Sequence, residues 1–127
     1  MVGSAAIPLE TCPHVVHAWR SVHQGPRTES FVIEGLWGVH LYRYSAEVRM
    51  DGEPLAIEPG CAGFTPPGAR MAYDFRGTSV HVFAHLAWPK EAGPCTPLPM
   101  MFATGSRFEA LWARLEEAIA WRGSRRA

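Results

Sequence analysis

Lysine is almost missing from this chain: Lys90 is the only one, and arginine carries nearly all the basic charge. Twelve basic residues balance twelve acidic ones, so no net field draws the protein toward nucleic acid or an anionic membrane surface. No apolar run approaches the ~20 residues of a membrane-crossing helix, and the N-terminus lacks a charged-then-apolar leader pattern. No membrane partner is expected. Cysteine is scarce and odd in number, with Cys12, Cys61 and Cys95 far apart and no CxxC pair. That argues against a disulfide framework and suits buried or idle thiols in a reducing cytoplasm, the expected location. Catalytic signatures are missing as well: there is no GxSxG, no P-loop and no GxGxxG opening a helix. Cys61 with His81 or His85 would make a thiol–imidazole couple, but a cysteine on a short core strand reads as inert packing.

What the chain has in quantity is turns. The segment Glu58-Pro59-Gly60-Cys61-Ala62-Gly63-Phe64-Thr65-Pro66-Pro67-Gly68 holds a short apolar run, Cys61 to Thr65, between two turns fixed by proline and glycine. Similar runs flank it at Leu36–Tyr44, Ala46–Met50, Pro54–Ile57, Arg70–Phe75 and Ser79–Trp88, with Asp51-Gly52 as a two-residue hairpin signal. Strands this short, with turns roughly every 8–12 residues, predict a small all-β sandwich or barrel.

The flanks differ. Met1–His14 is small, Pro-containing and aperiodic, and reads as an N-terminal arm without regular structure, residues 1–14. Val15–Val22 is β-branched and aromatic enough for a first strand, Gln24-Gly25-Pro26 turns the chain, and Phe31–Ile33 suits a second. The β unit thus spans residues 15–88. Four prolines in Pro89–Pro99 rule out helix or central strand, making residues 89–105 a connector. In residues 106–127 the period changes: Phe108, Leu111, Trp112, Leu115 and Ile119 fall on one stripe, while Arg114, Glu116 and Glu117 lie off it. Ser106 and Glu109 have capping-box spacing and Gly123 marks a stop, so one amphipathic helix over about Arg107–Trp121 is predicted, docked on an outer sheet face. Ser124-Arg125-Arg126-Ala127 reads as a solvated linker.

Gly60…Pro66-Pro67-Gly68 resembles the second motif of the cupins, small jelly-roll barrels also called double-stranded β-helices. Metal-dependent cupins place a histidine where Met71 stands, and a His-x-His pair upstream. The available registers give Ile33 and Gly35, or His40 with Glu47 and with Tyr42 in the second histidine's place. Iron, manganese or zinc needs at least three convergent ligands, and either register leaves at most two. No metal and no cofactor are expected.

The ordered set Leu36-Trp37-Gly38-Val39-His40-Leu41-Tyr42, Asp51-Gly52, Glu58-Pro59-Gly60, Phe64-Thr65-Pro66-Pro67-Gly68, Tyr73 and His81-Val82-Phe83-Ala84-His85-Leu86 resembles the N-terminal sensor domain of AraC-family transcription regulators. The resemblance implies a metal-free cupin barrel whose lumen holds a small effector, not an enzyme. Tyr73, His81 and Phe83 occupy positions that contact the sugar in the arabinose-responsive member, and Arg27 is nearest to that member's arginine without being in register. It also implies an arm folded over the ligand. The family's second helix and its two helix-turn-helix motifs are absent from these residues, so DNA would be contacted only through a domain not present here, and a homodimer is left open.

Strand alternation supports the same pocket independently. His81, Phe83 and His85 share one face of their strand, with Val80, Val82, Ala84 and Leu86 on the other. His40, Tyr42 and Tyr44 likewise share a face. If the helix covers the aliphatic side, the histidine side looks inward. The expected ligand-binding set is therefore Tyr73, His81, Phe83, His85, His40 and Tyr42. Trp37 and Trp112 read as core or docking contacts. Effector identity stays open, as do two other readings: a small stand-alone cupin enzyme of isomerase or dioxygenase type, and a cupin-like interaction module with a solid interior.

Overall fold

The computed structural model describes the backbone of residues 4–126 and the side chains of residues 4–121. The fold is mainly β, with one C-terminal helix. The first strands are β1 (Ser4–Ile7), β2 (His14–His23), β3 (Arg27–Val32), β4 (Trp37–Tyr42) and β5 (Ala46–Met50). They are followed by β6 (Glu53–Ile57), β7 (Cys61–Thr65), β8 (Arg70–Phe75) and β9 (Ser79–Ala87). The short strands β10 (Thr96–Pro99) and β11 (Met101–Ala103) precede α1 (Phe108–Arg126).

Turn chemistry sets the strand ends. Asp51 and Gly52 both adopt positive φ, 49° and 87°, which is what a two-residue turn matching strand twist demands. The turn fixes β5 against β6 in the register Met50↔Glu53. Asp51 then ties this hairpin to β8: its N–H donates to the Arg70 carbonyl at 2.8 Å, and its Oδ1 accepts from the Arg70 N–H at 2.9 Å. Pro54 is tolerated because β6 is an edge strand.

The strands form two main antiparallel sheets, in the orders β11-β7-β4-β9-β2 and β3-β8-β5-β6, plus a two-stranded ribbon β1-β10. The sheets are not closed on one another. Between them lies a core in which Tyr42 and Cys61 from one sheet meet Val48, Met50, Ile57, Met71 and Phe75 from the other. A second cluster lies outside the five-stranded sheet, where Phe108 and Trp112 of α1 bury against Leu41, Ala62 and Val82. The aliphatic face of β9 is thus the docking face of the helix, which decides between the two placements that alternation left open. Arg43, just beyond β4, fixes the helix further, with its guanidinium 4.0 Å from the Trp112 ring centroid and donating to Glu109 at 2.7 Å.

Four local expectations are corrected. The arm is not wholly irregular: Ser4–Ile7 is a strand that pairs with Thr96–Pro99, and Ile7 is fully buried, while residues 1–3 lie outside the described residues. Prolines are accepted in β10 because that strand has a single partner, leaving its other edge free of ladder bonds. The capping box does not form. The helix is entered through a 3₁₀ turn at Gly105–Arg107, Thr104 donates to the Gly60 carbonyl at 2.8 Å, and Glu109 is taken by Arg43. Helical backbone also runs through Gly123 to Arg126, since glycine permits a stop without enforcing one. Leu111, placed on the docking stripe by spacing, is exposed instead.

Candidate functional site

A cavity of about 340 Å³ opens between the sheets on the side where β2 and β3 form their edges. One wall comes from β9, β4 and β2, carrying His81, Phe83, His85, His40 and Ser21; the other comes from β3 and β8, carrying Glu29, Phe31, Met71 and Tyr73. The wall follows from antiparallel pairing. His40 stands opposite Phe83, and Ser21 opposite His81, so the inward parity of β9 imposes inward parity on both neighbours.

His40 is buried, 5% exposed, its ring centroid 5.6 Å from His81 and 6.0 Å from Phe83 and its plane 9° from that of Tyr42. Gly38 makes room for it, because a Cβ there would come within 3.0 Å of His40 Nε2. Among the described residues, neither ring nitrogen of His40 has a hydrogen-bond partner, nor do His81 Nδ1 and Glu29 Oε2. Buried polar atoms are nearly always paired, so these four mark a place where partners are missing. Burial first, and then the neighbouring imidazoles His81 and His85, push His40 well below the ordinary histidine range. Burial, reinforced by His23, lowers His81 to about 4. His85 is lowered by burial and by His17. At neutral pH these rings are uncharged, each offering one donor and one acceptor.

Tyr73 and Tyr42 behave differently. Their hydroxyls are 2.8 Å apart, and Tyr73 also lies 3.7 Å from Met71 Sδ. Burial raises Tyr73 to about 12, opposed by its bond to Tyr42, while Tyr42 is raised well above its ordinary value by burial and by Tyr73. Tyr73 therefore gives the cavity a ring face, its hydroxyl being engaged behind. Tyr42 stands outside the lining, in the core between the sheets.

At the mouth, Arg27 donates to Glu29 Oε1 at 2.6 Å and lies 3.0 Å from His23 Nδ1, which is 3.2 Å from Glu29 Oε2. The His23 ring stacks on Phe75 at 4.2 Å and on His81 at 5.8 Å. Burial lowers the His23 pKa, with Glu29 opposing and Arg27 reinforcing. Arg27 does not line the cavity; it holds the carboxylate that does.

Of the residues expected from sequence, the structure brings Tyr73, His81, Phe83, His85 and His40 to one cavity and leaves Tyr42 behind it. Sequence reasoning missed Ser21, His23, Glu29 and Phe31. A signal existed for the first two, since His17, Trp19, Ser21 and His23 keep one parity along β2, but nothing in the chain announces that β2 pairs with β9. Among the described residues, no three His, Cys, Asp or Glu side chains group so as to hold a metal ion. Cys12, Cys61 and Cys95 are all unpaired thiols.

No family model matches the sequence, and no curated protein matches it. Among solved structures the chain is similar to the plu4264 protein from Photorhabdus luminescens, 12% identical, with a TM-score of 0.49. The match covers 59% of this chain and 63% of that one, less than two thirds of its length, and likeness at this level carries no argument about fold or function.

Proposed function

We propose that this chain is the effector-sensing domain of an AraC-type bacterial transcription regulator. In this reading it is a cupin-like β fold that binds a small molecule between its sheets without a metal or cofactor. DNA would be reached only through a domain these residues do not contain. The observation that carries the binding half is the buried His40 imidazole, both nitrogens unpartnered, on the wall of a cavity of about 340 Å³. That volume lies at the lower end of the range for small-molecule sites, and the mixture of aromatic faces with a few polar atoms is the usual composition of one. The regulator half rests on the ordered motif set from Leu36 to Leu86.

The two halves are tested separately. A thermal-shift screen of small bacterial metabolites should yield compounds that raise the melting temperature of the native chain and fail to do so for His81→Phe. A screen without a single stabilising compound, or hits unaffected by that substitution, would remove the binding half. The coding sequence after codon 127 should specify two helix-turn-helix segments. Their absence from the full reading frame would remove the regulator half and leave the cavity untouched.

A further inference from the structure

The lining of the cavity restricts what it can hold. Among the described residues no lysine or arginine lines it, and the one charged lining side chain, Glu29, has Oε1 committed to Arg27 at 2.6 Å and Oε2 at 3.2 Å from His23 Nδ1. An anion entering here would lose its hydration, meet no counter-charge and face a carboxylate. A cation would find a single carboxylate, already shared with the Arg27 guanidinium. Besides Glu29 Oε2, the lining atoms that lack a hydrogen-bond partner among the described residues are His40 Nδ1, His40 Nε2 and His81 Nδ1; they belong to rings that burial keeps uncharged, and a neutral imidazole presents one donor and one acceptor. The rest of the wall is mostly apolar, with the ring faces of Phe31, Tyr73 and Phe83 and the Met71 thioether, and Ser21, His23 and His85 are its further polar side chains. A monosaccharide would leave most of its hydroxyls unpaired against such walls. Divided by the ~30 Å³ that each water occupies in the liquid, the volume has room for roughly a dozen non-hydrogen atoms.

We infer that the ligand is an uncharged planar ring compound of about a dozen non-hydrogen atoms. It carries a hydrogen-bond donor and acceptor side by side, as in a carboxamide or lactam, and is held by the His40–His81 pair. This rests on the reading of the cavity as a ligand site and names the class of ligand. Planarity follows from aromatic faces on both walls, which favour stacked or edge-on rings. The adjacent donor and acceptor follow from two imidazoles whose centroids are 5.6 Å apart.

The test uses four probes on the intact chain at pH 7.5: benzamide, benzoate, benzylammonium and glucose. Each is titrated while the imidazole ¹H–¹³C resonances of His40 and His81 are followed. Benzamide should move both sets, with benzoate, benzylammonium and glucose each at least about ten-fold weaker. In His40→Phe the benzamide affinity should fall about ten-fold or more. If that variant does not fold, His81→Phe serves the same purpose. Tighter binding of benzoate, benzylammonium or glucose at these resonances would overturn the uncharged class while leaving the cavity a binding site. If none of the four moves either histidine, the inference fails and the cavity reading loses its main support. Benzamide binding unchanged in both variants would also overturn it.

Discussion

Glycine at position 38 and histidine at position 40 are one feature at the residue scale. Strand interiors rarely favour glycine, yet here its missing side chain leaves space for the His40 ring. Gly38→Ala should therefore change folding stability by less than about 1 kcal/mol, because lower backbone entropy in the unfolded chain offsets the tight contact. It should nonetheless displace the imidazole toward the cavity, moving its ring resonances and weakening any ligand. Urea unfolding and a histidine spectrum of that variant check both parts. The second residue-scale prediction concerns pH. A histidine whose folded pKa lies below its unfolded value favours the unfolded state as acid is added, so its cost begins near pH 6.5 and grows until the folded pKa is reached. For His81, with a folded value of about 4, the loss between pH 7 and pH 4 is roughly 3 kcal/mol, and His40 acts in the same direction. Unfolding free energies measured along this range should fall steeply, and His81→Phe should fall less. An equally steep profile in the variant would contradict the assignment.

At the scale of elements, the helix and the N-terminal ribbon are the two attachments that hold the sheets in place. Trp112 is buried on the outer face of β4 and β9, so Trp112→Ala should cost about 3–5 kcal/mol in urea unfolding. Arg43→Ala, which removes a partly exposed ion pair and a ring contact, should cost nearer 1 kcal/mol. Ile7→Ala should cost about 2–5 kcal/mol if β1 is as integral as its burial indicates. An arm that merely folds over a ligand would show almost no loss without that ligand. The strands Ala46–Met50, Cys61–Thr65 and Arg70–Phe75 were legible to the residue, because Asp-Gly, Pro-Gly and Pro-Pro-Gly turns bound them locally. The β1–β10 pairing was not legible, since its two segments lie some ninety residues apart in the register Ser4↔Pro99 and neither carries a periodic signal. The failure of the capping box has the same origin: Ser106 and Glu109 have the right spacing, but Arg43, distant in sequence, takes the carboxylate.

Viewed as a whole molecule, the protein is two antiparallel sheets with a solid half and a hollow half. Toward β5, β6 and β7 the interior is filled by Val48, Met50, Ile57 and Cys61; toward β2 and β3 it opens into the cavity. The histidine face of β9 could be read from alternation alone, and the helix position then decided which way it looked. His23 and Glu29 could not be read in this way, because their place at the mouth depends on β2 and β3 being edges of different sheets. No helix among the described residues is long and apolar enough to cross a membrane. The hollow is where the function proposed above would be exercised, and its defining property is a set of uncharged imidazoles without partners. Long-range ¹H–¹⁵N spectra of the histidine rings at pH 7 test this most directly. His40 and His81 should each show one protonated and one bare nitrogen, and both should shift when benzamide is added. Imidazolium signatures on either ring, or spectra that stay fixed through the titration, would contradict the account.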